Sequence, residues 1–113
     1  MSHAEQMKAL VNDLFYESWD GNLGAMEEHP GLHDIIPFLE HMMDAMTDAE
    51  YEIKEQLVDG NWVVTRFETE ATHSGEFMGL PPSGERVRME TIVMHQVVDG
   101  IIVQQHSQGG FIT

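Results

Sequence analysis

The hydrophobic period of this chain changes once, near Asp48, and that change limits what it can fold into. Before it, apolar residues recur at helical spacing. Met7, Leu10, Val11, Leu14, Phe15 and Trp19 follow the i, i+3, i+4, i+7 pattern of an amphipathic helix from about Ala4 to Trp19. Asp20-Gly21-Asn22 is a stop signal. Residues 22–31, broken by Gly24, Pro30 and Gly31, leave room for one helical turn at most. Leu32, Ile35, Ile36, Leu39, Met42, Met43 and Met46 then mark a second helical face. Pro37 is tolerated only in a first turn, so Asp34 is the expected N-cap and Pro37 the third helical residue.

After Asp48 the period is two. A first strand runs from Tyr51 to about Leu57, and Asp59-Gly60 signals a hairpin. Asn61 to Thr72 reads as a long strand. Val63, Thr65, Phe67 and Thr69 share one face; Trp62, Val64, Arg66, Glu68 and Glu70 share the other. Residues 79–84 (Gly-Leu-Pro-Pro-Ser-Gly) are a loop, Arg86 to Val98 a third strand, Asp99-Gly100 a tight turn, and Ile101 to about Gln108 a fourth strand. Helices followed by an antiparallel meander make an α+β fold, not a βαβ one.

A chain of 113 residues suits one domain spanning 1–113. With no cysteine it has no disulfide, thiolate metal site or cysteine nucleophile, which fits a reducing compartment. The N-terminus lacks a basic region followed by an apolar stretch, and no run approaches the ~18 apolar residues of a membrane span. The expected location is cytoplasmic, with no membrane partner. A formal charge of −15 repels phosphate backbones, so nucleic acid is not an expected partner either. The hydrophobic fraction of 42% and the clear periodicity argue against disorder.

Three stretches resemble one known family. Residues 71–84, Ala-Thr-His-Ser-Gly-Glu-Phe-Met-Gly-Leu-Pro-Pro-Ser-Gly, are similar to a G-T-H-x-G-E-F-x-G-x-P-P-T-G segment of the SnoaL-like polyketide cyclases, within the nuclear transport factor 2-like superfamily. Residues 97–103 resemble that family's hairpin before its last strand. Residues 45–48 and 51–66 resemble its passage into the first two strands. The resemblance implies a cone-shaped α+β barrel: N-terminal helices on a strongly curved antiparallel sheet, one apolar pocket, and a homodimer through the back of the sheet. It also implies an aspartate base on the last strand. Counting from Asp99-Gly100, Gly110 stands at that place and His106 at that of a common tryptophan. The segment from Gly21 to His29-Pro30 is about ten residues shorter than the family's, which trims the pocket wall.

The candidate chemistry follows. If Gln104, His106 and Gln108 share a pocket face, His106 can replace the missing base, with His95 the other imidazole and Gln96 the third polar group near the turn. His95 and Gln96 are out of phase, so one of them faces away. Arg66 and Glu68 have the arginine-x-acid spacing of limonene epoxide hydrolases, and read more simply as exposed cross-strand ion pairs. The expected lining is Phe15, Trp19, Trp62, Val64, His73, Phe77, Gln96 and Gln104. His29 and His33 are separated by Pro30-Gly31 and cannot share a helical face, and no metal or cofactor signature is present. The ligand class implied is a small apolar, oxygenated molecule. The reaction is then a lyase, isomerase or hydrolase step; the alternative is a non-catalytic binding or dimerisation module.

Overall fold

The computed structural model describes residues 2–19 and 22–111, without the side chains of Trp19 and Phe111. The expected helix stop at Asp20-Gly21, and Trp19 as a lining side chain, therefore lie outside the described residues.

Helix α1 spans His3–Trp19. The Ser2 hydroxyl accepts a hydrogen bond from the Glu5 amide at 3.1 Å, the capping that a serine ahead of a helix supplies. Its apolar stripe buries Met7, Val11 and Leu14. Two 3-10 helices follow, Leu23–Glu28 and Pro30–Ile35, where sequence reading allowed a single turn. Helix α2, Ile36–Ala45, begins later than expected. Ile35, not Asp34, is its N-cap, because Pro37 takes one of the first two helical positions, where its missing amide hydrogen costs nothing.

Four strands form an antiparallel meander in the order β1-β2-β3-β4: Met46–Asp59, Trp62–His73, Arg86–Val98 and Ile101–Phe111. Strand β1 starts at Met46 rather than Tyr51. Its extra residues pair with the end of β2, Met46 with His73 and Thr47 with Thr72, ahead of an irregularity between Thr47 and Glu50, where Asp48 adopts φ 51°. At the last turn Asp99 (φ 51°) and Gly100 (φ 77°) are both left-handed, as a two-residue hairpin with the twist of its strands requires.

One face of the sheet packs on the helices. Odd-numbered residues of β2 and β3 point there: Val63, Thr65, Phe67, Thr69 and Ala71, then Met89, Val93, His95 and Val97. The larger core cluster joins Met7, Val11 and Leu14 of α1, Met26 and Leu32 of the 3-10 helices, and Val63, Val97 and Ile102 of the sheet. A smaller one holds Ala45, Met46, Ala71, Phe77 and Met89.

The T-H-S-G-E-F stretch has a structural task here. The Ala45 carbonyl accepts hydrogen bonds from both Ser74 (2.9 Å) and Gly75 (3.0 Å), tying the end of β2 to the α2–β1 junction. A Cβ at Gly75 would lie 3.1 Å from Ala45 Cα, so glycine permits the approach. Phe77, 5% exposed, inserts below, its ring stacked on His41 at 5.4 Å.

Candidate functional site

The helices and the inner face of the sheet enclose a cavity of about 110 Å³. Phe15 and Ser18 of α1 form one wall. Met26, Leu32 and Ile35 of the 3-10 helices and Leu39, Met42 and Met43 of α2 form another. The floor is the sheet: Phe67, Thr69, Met89, Thr91, Val93 and His95, bordered by Gln105 and the exposed Ser107 of β4. The lining is mostly apolar, with a few polar groups on one side, the usual composition of a small-molecule site. Four methionines give it an adaptable surface.

His95 is the ionisable residue of this lining. It is 6% exposed, and its Nδ1 has no hydrogen-bond partner within the protein. Phe15 stands edge-on to the ring at 5.8 Å. Burial lowers its pKa from 6.5 to about 4, with the nearby His29 acting in the same direction. The ring is neutral at pH 7, so one nitrogen donates and the other accepts. A buried polar atom left without a partner is destabilising, so His95 is the polar group of this lining whose hydrogen-bonding capacity is not filled by the protein.

The structure moves most of the expected site residues elsewhere. Trp62, Val64, Arg66, Glu68, Gln96, Gln104 and His106 lie on the outer face, away from the cavity. Opposite His106 stands Met94, and opposite Gln104 stands Gln96. The His106 ring lies 6.1 Å from that of Trp62, and its Nε2 is 3.3 Å from Gln104 Oε1. The cause is one extra residue in β4. A strictly paired hairpin from Val98–Ile101 would set Gln104 opposite His95 and His106 opposite Val93, both facing inward. Instead the register shifts after Val97–Ile102, Val103 is left over, and every later side chain changes face. Gln105 and Ser107 turn inward in their place. Gly110, where the resemblance placed the missing aspartate, pairs with Glu90 in the outward row.

Arg66 and Glu68 do not pair with each other. Arg66 meets Glu55 at 2.8 Å and Glu90 at 3.8 Å, while Glu68 meets Arg88 at 3.3 Å and Lys54 at 3.4 Å. They belong to an outer-face ion-pair network, not to a water-activating pair. His73 and Phe77 are buried but outside the cavity lining; His73 sits beside the loop that Gly84 and Glu85 close onto its backbone. Phe15 lines the cavity as described. Sequence reading missed Gln105, Ser107 and Thr91. The alternation in β3 carried a usable signal for His95, since it is in phase with Val93 and Val97.

His29 and His33 serve backbone groups. His29 Nδ1 accepts from the Ile102 amide at 2.9 Å, and His33 Nε2 lies 2.6 Å from the Glu27 carbonyl oxygen. Among the described residues no group of three or more His, Cys, Asp or Glu is placed to hold a metal ion, and no helix is long and apolar enough to cross a membrane.

Comparison with known proteins agrees with this architecture. The family model of the SnoaL-like polyketide cyclases matches residues 3–111. AclR of Streptomyces galilaeus, a candidate hydroxylase, superposes with a TM-score of 0.84 at 26% identity, covering 96% of this chain and 91% of AclR. A candidate SnoaL-like polyketide cyclase from Jannaschia sp. CCS1 gives 0.84 at 23% identity, over 96% and 89%. IdmH of Streptomyces antibioticus, a candidate polyketide cyclase, gives 0.77 at 23%, over 92% and 91%. No curated protein matches the chain in sequence.

Proposed function

This chain belongs to the SnoaL-like polyketide cyclase family, and from that premise we propose that its cavity binds a small apolar molecule bearing a hydroxyl or enol group, which His95 Nδ1 engages. The observation that carries this reading is the buried imidazole of His95, whose Nδ1 has no hydrogen-bond partner among the described residues, in a mostly apolar lining. Phe15, Phe67 and the methionines supply the apolar surface, and Thr91, Gln105 and Ser107 supply secondary polar contacts. Where the ligand carries an acidic C–H beside a carbonyl, His95 is the lining group able to accept that proton. With a pKa of about 4 it is a weak base, so orientation of the ligand outweighs proton transfer.

A matched pair of probes tests this. 2-Naphthol should bind about tenfold more tightly than naphthalene, the size of one hydrogen bond to a buried acceptor. His95→Ala should abolish that preference while keeping the apolar contribution, and His106→Ala should leave it intact. Equal binding of the two probes by the unaltered protein would refute the role given to His95.

The outer face supports a second reading that concerns assembly. Lys54, Arg66, Arg86 and Arg88, four of the chain's five cations, lie there in ion pairs, beside the exposed apolar side chains of Ile92 and Met94. It is the part of an acidic molecule that a second copy meets with least repulsion. We propose a homodimer through this face. Sedimentation equilibrium should give twice the chain mass, and Met94→Glu should give the monomer; an unaltered protein that sediments as a monomer at high micromolar concentration defeats the proposal.

A further inference from the structure

The cavity wall formed by Leu23–Ile35 is held to the sheet in an unusual way. Its two 3-10 helices are six residues each, a helix type whose hydrogen-bond geometry is poorer than that of an α-helix. The second packs chiefly on β4, an edge strand. The attachment has two parts. Gly31 lies directly on the backbone at Val103–Gln104, where the register of β4 shifts. One residue pair away, the buried His29 ring accepts the Ile102 amide hydrogen at 2.9 Å. Met26 and Leu32, on either side of His29 in the chain, are both core residues and cavity lining.

We propose that Leu23–Ile35 is the movable wall of the cavity and that the His29–Ile102 hydrogen bond is its acid-released latch. Nδ1 can accept the amide hydrogen only while it carries no proton. Protonation puts N–H against N–H and a charge in a buried site, so the bond is lost and the segment is expelled with Met26 and Leu32. The cavity then opens between this segment and β4.

The surroundings of His29 allow such a response. Burial holds its pKa below 6.5, and Glu28, adjacent in the chain, opposes this. From β3 the facing titratable group is His95, whose own pKa burial lowers to about 4. The β4 residues at the contact, Ile101 to Gln104, carry no ionisable side chain, and neither do the buried residues of α1, Met7, Val11, Leu14 and Ser18. On the second 3-10 helix, His33 and Asp34 are exposed.

Amide hydrogen exchange on the full chain, corrected for its intrinsic pH dependence, reads the latch without any ligand. The route it opens for a ligand rests on the binding reading above, which the naphthol pair tests separately. As pH falls below about 6.5, opening at Ile102 and across 23–35 should increase by up to tenfold per pH unit and stay well above that at Val63 and Thr65 in β2, which follows global stability. His29→Asn keeps an acceptor oxygen near the Nδ1 position but does not titrate, so its profile should be flat. In the unaltered protein, the His29 ring nitrogen shifts should titrate with the same midpoint as the opening. The latch is overturned by an equal rise in His29→Asn, by a rise at Ile102 no larger than that in β2, or by a ring that stays neutral while Ile102 opens.

Discussion

Replacing Gly31 by alanine should lower the melting temperature by about 12–18 °C, the equivalent of roughly 3 kcal/mol in a domain of this size. A Cβ at this position would lie 2.4 Å from both Gln104 N and Val103 C and 2.9 Å from Gln104 Cα. All three are backbone atoms of a paired strand, so no side-chain rotation relieves the contact. Either β4 moves, which disturbs its pairing with β3, or the second 3-10 helix lifts, which exposes Leu32, 1% accessible in the native state. Both routes are costly, so the effect belongs to the upper end of overpacking substitutions. Gly24→Ala is the control: among the described residues its added Cβ meets only Asn22 Oδ1, at 3.5 Å, and should shift the melting temperature little. Parallel thermal melts by circular dichroism decide the matter, and similar melting temperatures for the two variants would mean that the Gly31 contact is not a constraint.

The same contact explains what sequence reading could and could not see. The architecture was legible because it rests on local pattern: the period change near Asp48, the stripes of α1, and the turn chemistry of Asp99-Gly100. The site was not, because it depends on the parity of β4, and parity turns on a single residue. Both alternations of that strand are polar, Gln104-His106-Gln108 and Gln105-Ser107, so hydrophobicity could not choose between them. Strand β2 is similarly ambiguous, with Trp62 and Val64 on one face and Val63 and Phe67 on the other. The register shift at Val103 coincides with a tertiary contact that local pattern does not reveal: Gly31, more than seventy residues earlier, sits on the backbone there. The adjacent pair His95 and Gln96 shows the consequence, since the imidazole enters the cavity and the amide turns out toward Asn61.

Lowering the pH from 7 to 4 should remove roughly 3 kcal/mol of stability through His95 alone. The sign follows from its folded-state pKa of about 4 against 6.5 when unfolded. Between these values the unfolded chain binds the proton and the native protein does not, so acid favours unfolding. The contribution is complete above about 6.5, falls through the window, and is gone below about 4. His29, also lowered by burial, acts in the same direction. An opposing effect comes from the −15 charge, because protonating carboxylates relieves self-repulsion as the pH falls. The two are separable by comparing the unaltered protein with His95→Gln, which keeps polar groups at the site and does not titrate there. Urea denaturation at pH 7.5, 6.5, 5.5 and 4.5 should show the difference between them changing by more than 2 kcal/mol, about 0.5–1.4 kcal/mol per pH unit. A difference that stays constant across this range would show that His95 titrates normally, and the neutral buried imidazole on which the ligand contact depends would have to be abandoned.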